Sequence, residues 1–188
     1  NVAAGSDVTG FWVSLPEHPN GKFEGSEISK ATWPRRTPFR EFKGNVAHSN
    51  YDAFMFDRNI NVNNTFGVTG NAHMPKENPA DPNSKTVETV FENLTAYRNG
   101  GIWGRGEMHT FRNAKLADNA MGYTHASGSA GRDPFTSKVV DSLFVGETEN
   151  IGNPTTDAEK AYGRSVPKRD LPDFPIRGYE YYDYRHDV

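Results

Sequence analysis

Two stretches of this chain can be written one above the other. Phe91-Glu92-Asn93-Leu94-Thr95-Ala96-Tyr97-Arg98-Asn99-Gly100-Gly101-Ile102 lies over Phe111-Arg112-Asn113-Ala114-Lys115-Leu116-Ala117-Asp118-Asn119-Ala120-Met121-Gly122 at an offset of twenty residues. Each line reads aromatic, Asn, a short alternating run, a second Asn, a Gly close behind, and then another apolar run. A period of this length with short alternating runs and turn residues at fixed places is the pattern of one coil of a parallel β-solenoid. Asn45 to Phe54 gives a further line, and Asp141 to Gly146 a weaker one. The competing reading is two ordinary amphipathic strands that share a pattern by chance.

The solenoid reading makes a physical commitment. Equivalent residues of successive coils stand above one another, so Asn93 should stack on Asn113 and Asn99 on Asn119. Their amides would form ladders that satisfy backbone groups at corners where the strand pairing is interrupted. Gly at the second corner is expected to supply a positive φ.

Composition agrees. The chain has 188 residues, 35% of them apolar, with 18 Gly and 12 Pro, which suits short strands and many turns better than a helical bundle. One domain of this length can bury a sizeable core. Twenty-one basic and 24 acidic residues give a net charge of -3, so no broad positive field exists and duplex nucleic acid is excluded as a partner. With no Cys in the sequence, disulfides, thiolate metal sites and a Cys nucleophile are excluded together. No run approaches the roughly 18 apolar residues that span a bilayer, so no membrane contact by this segment is expected. Asn1 to Gly5 does not read as a signal peptide.

The chain reads as a single β-helix domain over 1–188. Residues 1–40 hold a first strand, Gly10 to Leu15, stopped by Pro16, and a basic loop, Trp33 to Pro38, read as a surface connection. Coils occupy 41–150, with insertions at 71–85 and 127–137. Residues 151–188 are loop-like, with a short helix over 157–162 and a terminal strand near Tyr179. Solenoid insertions gather on one face, often the binding face.

In order along the chain, NVAAGS from Asn1, GFWVSLPEHPNG from Gly10, NVAHSN from Asn45, NPADP from Asn78, FENLTAYRNGGIWGRGE from Phe91, LADNAMGYTHASG from Leu116, VVDSLFVGETENIG from Val139 and LPDFPIRGYEYYD from Leu171 resemble the middle of the cell-surface hyaluronidase family. The resemblance runs nearly end to end. It implies a right-handed parallel β-helix, all-β, that is a fragment of a longer β-helix. It also implies a larger extracellular or cell-surface protein that binds and depolymerises an acidic polysaccharide such as hyaluronan, with a small β-rich domain upstream and further coils downstream. The remainder of that parent protein, or neighbouring β-helix chains, would be its partners. His125 stands where that pattern leads us to expect an apolar residue.

Handling such a polymer requires cations for uronate carboxylates, and an acid and a base if a bond is to be cut. Arg105, between two glycines, can hold a carboxylate in bidentate fashion, with Trp103 beside it to stack on a sugar ring; alternatively Arg105 pairs with Glu107. Asn50, Arg177 and His125 are further substrate-binding candidates. For catalysis the candidates are His48, since an unperturbed imidazole is the side chain suited to acid–base work near neutral pH, with Asp118 and Glu107 as carboxylates for hydrolysis or β-elimination. A structural His48 and a turn-capping Asp118 remain open alternatives. No metal motif is present; a Ca2+ site would need loops to gather scattered Asp and Asn. Of two glycosylation sequons, Asn63 is the candidate, because Asn93 falls in a predicted ladder. Two rivals to a depolymerising enzyme are a non-catalytic carbohydrate-binding β-helix and a structural subunit that assembles end to end through exposed coil edges.

Overall fold

A computed structural model describes residues 1–13, 15–56, 59–60, 66–67, 73–127, 137–165 and 176–181. Within them the chain winds into a parallel β-helix whose cross-section is a triangle of three parallel sheets. Sheet A stacks β1 (Val2–Ala4), β4 (Val46–His48), β9 (Thr95–Tyr97), β12 (Lys115–Ala117) and β15 (Leu143–Val145). Sheet B stacks β2 (Thr9–Trp12), β5 (Asp52–Met55), β10 (Ile102–Gly106), β13 (Tyr123–Ser127) and β16 (Tyr179–Tyr181). Sheet C stacks β3 (Phe42–Lys43), β8 (Thr89–Glu92), β11 (His109–Arg112) and β14 (Lys138–Val140). Each coil runs C, A, B. The first two strands of the chain, β1 and β2, supply the A and B sides of a further turn.

The expected stacking is present. Phe91 pairs with Phe111 and Thr95 with Lys115 at an offset of twenty. In sheet B the offset becomes 21, because Ile102 pairs with Tyr123 and not with Gly122. Gly101 makes the second corner tight: a Cβ there would lie 2.9 Å from Met121 Cε.

The expected glycine at the second corner holds in one coil, where Gly122 has a φ of 54°. Gly100 and Gly101 are not left-handed, and in each coil the residue just before the buried Asn is: Ser49, Arg98 and Asp118 have φ of 58°, 56° and 55°. The C-to-A corner has its own column, with Gly44, Asn93, Asn113 and Asp141 all between 51° and 64°. Asn and Asp tolerate this region because their short side chains bond locally. Stacking keeps each corner's shape the same from coil to coil.

Inside the triangle, each layer is centred on one residue from each sheet, with further inward side chains such as Phe56 and His109 beside them. Phe42, Ala47 and Phe54 fill one layer, Phe91, Ala96 and Ile102 the next, then Phe111, Leu116 and Tyr123. Ala47 and Ala96 on sheet A face larger side chains on sheets B and C, and Leu116 takes that place in the third layer. Phe91 and Phe111 stack with ring centroids 4.9 Å apart. Burying each such ring contributes roughly 2–3 kcal/mol.

Insertions sit mainly between sheets B and C. The first carries α1 (Glu27–Lys30) and a 3-10 turn at Pro34–Arg36. The basic loop is packed rather than free: Arg36 binds Glu17 and donates to the Pro79 carbonyl, and the Arg35 and Arg36 carbonyls accept from the backbone N–H groups of Met74 and Lys76. The second insertion is longer than 71–85, running from the end of β5 to the start of β8 and including the antiparallel pair β6 (Asn59–Ile60) and β7 (Phe66–Gly67). The insertion expected at 127–137 lies almost wholly outside the described residues. A strap between β15 and β16 holds α2 (Asp157–Tyr162), closed by a Thr156–Glu159 capping box. Among the described residues no helix is long and apolar enough to cross a membrane.

Candidate functional site

The residues singled out by sequence fall in three places. At the A-to-B corner, Asn50, Asn99 and Asn119 form the predicted ladder, together with a member, Asn50, that was expected to meet substrate. Asn50 Nδ2 donates to Asn99 Oδ1 at 3.0 Å, and Asn99 Nδ2 to Asn119 Oδ1 at 2.9 Å. The backbone N–H groups of Asn50 and Asn99 donate to the same oxygens. Each amide also donates to a backbone carbonyl of the preceding coil, at Ala3, Ala47 and Ala96. All three are at most 1% exposed, so Asn50 has no surface to offer a polymer.

Asp118, beside that ladder, is likewise committed. Its Oδ1 accepts from the Thr148 backbone at 2.8 Å and from Arg164 Nη2 at 2.7 Å, and its Oδ2 from Thr148 Oγ1 at 2.7 Å. With only 7% exposure, it fastens the strap to the coil, which is the turn-capping alternative in a stronger form.

The second place is the seam between sheets B and C. Glu107 is fully buried and accepts at Oε2 from Lys76 Nζ at 3.1 Å and from Thr86 Oγ1 at 3.3 Å. Its cation is therefore Lys76, from the second insertion, in place of the expected Arg105. Arg105 occupies a strand position opposite Ala126, and its side chain lies outside the described part. Trp103 pairs with Met55 and Thr124 in sheet B and is half-buried. Arg177 donates to both oxygens of Glu180, and Glu180 also accepts from Thr124 Oγ1.

Sequence reasoning missed two imidazoles that give this seam its character, His73 and His109, and put His125, which lies in the same interior, on a binding surface. His73 and His109 are buried with Nδ1 of the first 3.0 Å from Nε2 of the second, while His73 Nε2 lies 3.0 Å from the Thr37 carbonyl. A carbonyl only accepts, so His73 carries its proton on Nε2 and takes one from His109 Nε2–H. That leaves His109 Nδ1 bare, and it has no partner among the described residues. Burial pushes the His73 pKa down to about 4. Burial, then His73 and His125, push His109 well below the ordinary imidazole range. His125 sits in the same interior with Nδ1 2.5 Å from the Tyr179 hydroxyl, its pKa also lowered by burial. These rings stay neutral at neutral pH. The available signal was alternation: His109 is two residues from Phe111, on the inward face.

The third place is the outward face of sheet A. His48 stacks on Tyr97 of the next coil, with centroids 4.9 Å apart and planes at 8°, and its Nδ1 lies 3.3 Å from Ser49 Oγ. Tyr97 is 39% exposed. Of the three proposed catalytic residues, only His48 is near open surface, and no carboxylate among the described residues bonds to it. Nor do the described residues hold a group of three His, Asp or Glu arranged to bind a metal ion. The glycosylation candidate Asn63 lies outside the described residues.

Comparison with known proteins adds an independent line. A family model described as the CEMIP beta-helix matches residues 1–55. The chain is 32% identical over 195 residues to a Dictyostelium discoideum protein, covering 97% of this chain and 18% of that one. It is 32% identical over 203 residues to the cell surface hyaluronidase CEMIP2 of Homo sapiens, and 32% identical over 202 residues to the cell migration-inducing and hyaluronan-binding protein of Mus musculus. In both cases 97% of this chain and 14% of the relative are covered. The chain thus spans less than a fifth of the length of these relatives.

Proposed function

We propose, for a chain that belongs to the CEMIP β-helix family, that it serves an extracellular or cell-surface protein acting on an acidic polysaccharide of the hyaluronan type, and that its own part is to bind the polymer rather than to cut it. The names of the human and mouse relatives support the polymer class. The division of labour rests on one observation: the carboxylates nominated for catalysis are enclosed and engaged. Glu107 is fully buried against Lys76, and Asp118 is held by Thr148 and Arg164. A glycosidase needs two carboxyl groups that flank a bound sugar, and neither of these reaches one.

The test is to incubate the chain with hyaluronan and other uronate polymers and follow retention, product size and absorbance in the unsaturated-uronate band. Retention without shortening is the expected result. Shortening with new absorbance would make the chain a lyase, shortening without it a hydrolase, and either would overturn the binding role. Absence of retention on every uronate polymer would reject the reading altogether.

A further inference from the structure

We propose that the outward face of sheet A, centred on Tyr97, is the surface along which the acidic polysaccharide lies, with Lys115 on that face and Arg112 at the adjoining edge of sheet C meeting its carboxylates. This deepens the binding role above and rests on it.

Openness is the first observation. The C-to-A corners of three successive coils take two residues each, Gly44-Asn45, Asn93-Leu94 and Asn113-Ala114, so no insertion at them crosses sheet A. Three of its outward residues are well exposed, Val2 at 67%, Tyr97 at 39% and Leu143 at 60%, and Lys115 is exposed beside them, while Val46, His48, Thr95, Ala117 and Val145 are half-buried. Sheet B is the contrast, with Met55 and Thr124 in its outward column at 2% and 1%.

Chemistry on that face is the second. Tyr97 has His48 against one side of its ring, while the next coil places only Ala117 in the same column. That small residue leaves a step beneath the ring where the apolar face of a sugar can pack, with the phenol hydroxyl free for the polar edge. Arg112 and Lys115, exposed on the coil that carries Ala117, have no ion-pair partner among the described residues. Lys43, in the same outward column as Arg112, is by contrast engaged with Glu92 at 3.1 Å. Lys115 points to the same face as Ala117 and lies diagonal to Tyr97, within reach of a long side chain. Between the two cations sits the exposed pair in which Asn113 Nδ2 donates to Asn93 Oδ1 at 2.6 Å, presenting amides to hydroxyls. The acids around them are Glu92, already held by Lys43, and Asp141 at the corner of the next coil.

Repetition is the third. Coils follow one another at roughly 4.8 Å, so a linear polymer laid along the axis meets the same column at every step. A two-cation site on one coil favours an acidic polymer over a neutral one.

Retention of the 188-residue chain on immobilised hyaluronan, with uncharged dextran as the comparison and salt as the variable, tests this. Arg112→Gln with Lys115→Gln should weaken retention on the order of tenfold and flatten its salt dependence. Tyr97→Thr should weaken it comparably, whereas Tyr97→Phe, which keeps the ring, should retain most of it. Lys22→Gln, in the first insertion, should change nothing. If the wild type is retained and the paired Gln variant and Tyr97→Thr are retained equally well, this face is not the site although the binding role stands. If the wild type is not retained at all, that role fails and this surface with it. Equal retention on dextran would remove the part given to Arg112 and Lys115. Self-association that Tyr97→Thr abolishes, without any effect on polymer, would make the face a contact between copies and overturn the proposal.

Discussion

Asn99 shows how much one side chain can hold in a solenoid. Its oxygen takes two donors from the coil before, and its amide gives to Asn119, Ala47 and Tyr97. Asn99→Ala removes these bonds and leaves several polar groups buried without partners, each costing about 1–3 kcal/mol. We expect a loss of at least 3 kcal/mol in denaturant unfolding. Asn113 makes the comparison sharp, because its ladder bond is exposed and its φ is 54°. Asn113→Gly should be close to neutral, and Asn113→Ala should cost only about 1 kcal/mol for the left-handed backbone. Both Asn columns were readable in the sequence because a repeat of identical polar residues survives without any contact information. The use of Asn50 was not: its place in the same column as Asn99 emerges only when a long insertion is removed between them.

Among the elements, the strap from Gly146 to Ser165 is the most dependent on a few polar contacts. Arg164 reaches Asp118 and Glu147, Tyr162 also reaches Glu147, and α2 itself buries no residue. Removing one member of a buried ion pair is costly, roughly 3 kcal/mol or more. Arg164→Ala should therefore raise hydrogen exchange and proteolysis within 146–165 while the coils at β9 to β12 stay protected; uniform loss across the chain would contradict this local role. The helix over 157–162 was expected as a short helix within otherwise loop-like sequence, and the strand near Tyr179 from alternation; the Thr156–Glu159 capping box that closes the helix was not read. Less visible was β1, which is three residues long and becomes a strand only because Val2 to Ala4 pair with Val46 to His48. Pairing partners, not local propensity, decide such short strands. The buried Lys76–Glu107 pair was hidden for a related reason, since it joins an aperiodic insertion to a coil.

At the scale of the whole molecule, the interior is asymmetric. One end of the triangular core is aromatic and aliphatic, and the seam between sheets B and C is lined by His73, His109 and His125. A folded-state pKa lowered from 6.5 to about 4 at His73 means that the unfolded chain takes up the proton first. Stability is then complete above pH 6.5, falls as the pH drops towards 4, and loses no more from this group below that. His73 alone accounts for roughly 3 kcal/mol across this window, and His109 and His125 act in the same sense. Thermal melts from pH 7 to pH 4 should show this decline, and His73→Phe should reduce it; a flat profile would refute the neutral imidazole pair. The repeat and the ordered blocks carried the parallel β-helix in the sequence, whereas the location of chemistry did not follow from them. Residue types favoured for binding and catalysis, Asn50, Asp118 and Glu107, are also the types that close corners and seams.

The amide column has a direction. At Asn50 and Asn99 the carbonyl oxygen accepts from the turn that came earlier and the NH2 group donates to the Asn of the turn that follows, and the Ser6 backbone N–H supplies the first donor. A turn inverted end for end would set oxygen against oxygen and nitrogen against nitrogen. Whatever prolongs this column, whether grafted repeats or another molecule, must join it in one sense only, as a zip accepts its slider from one side.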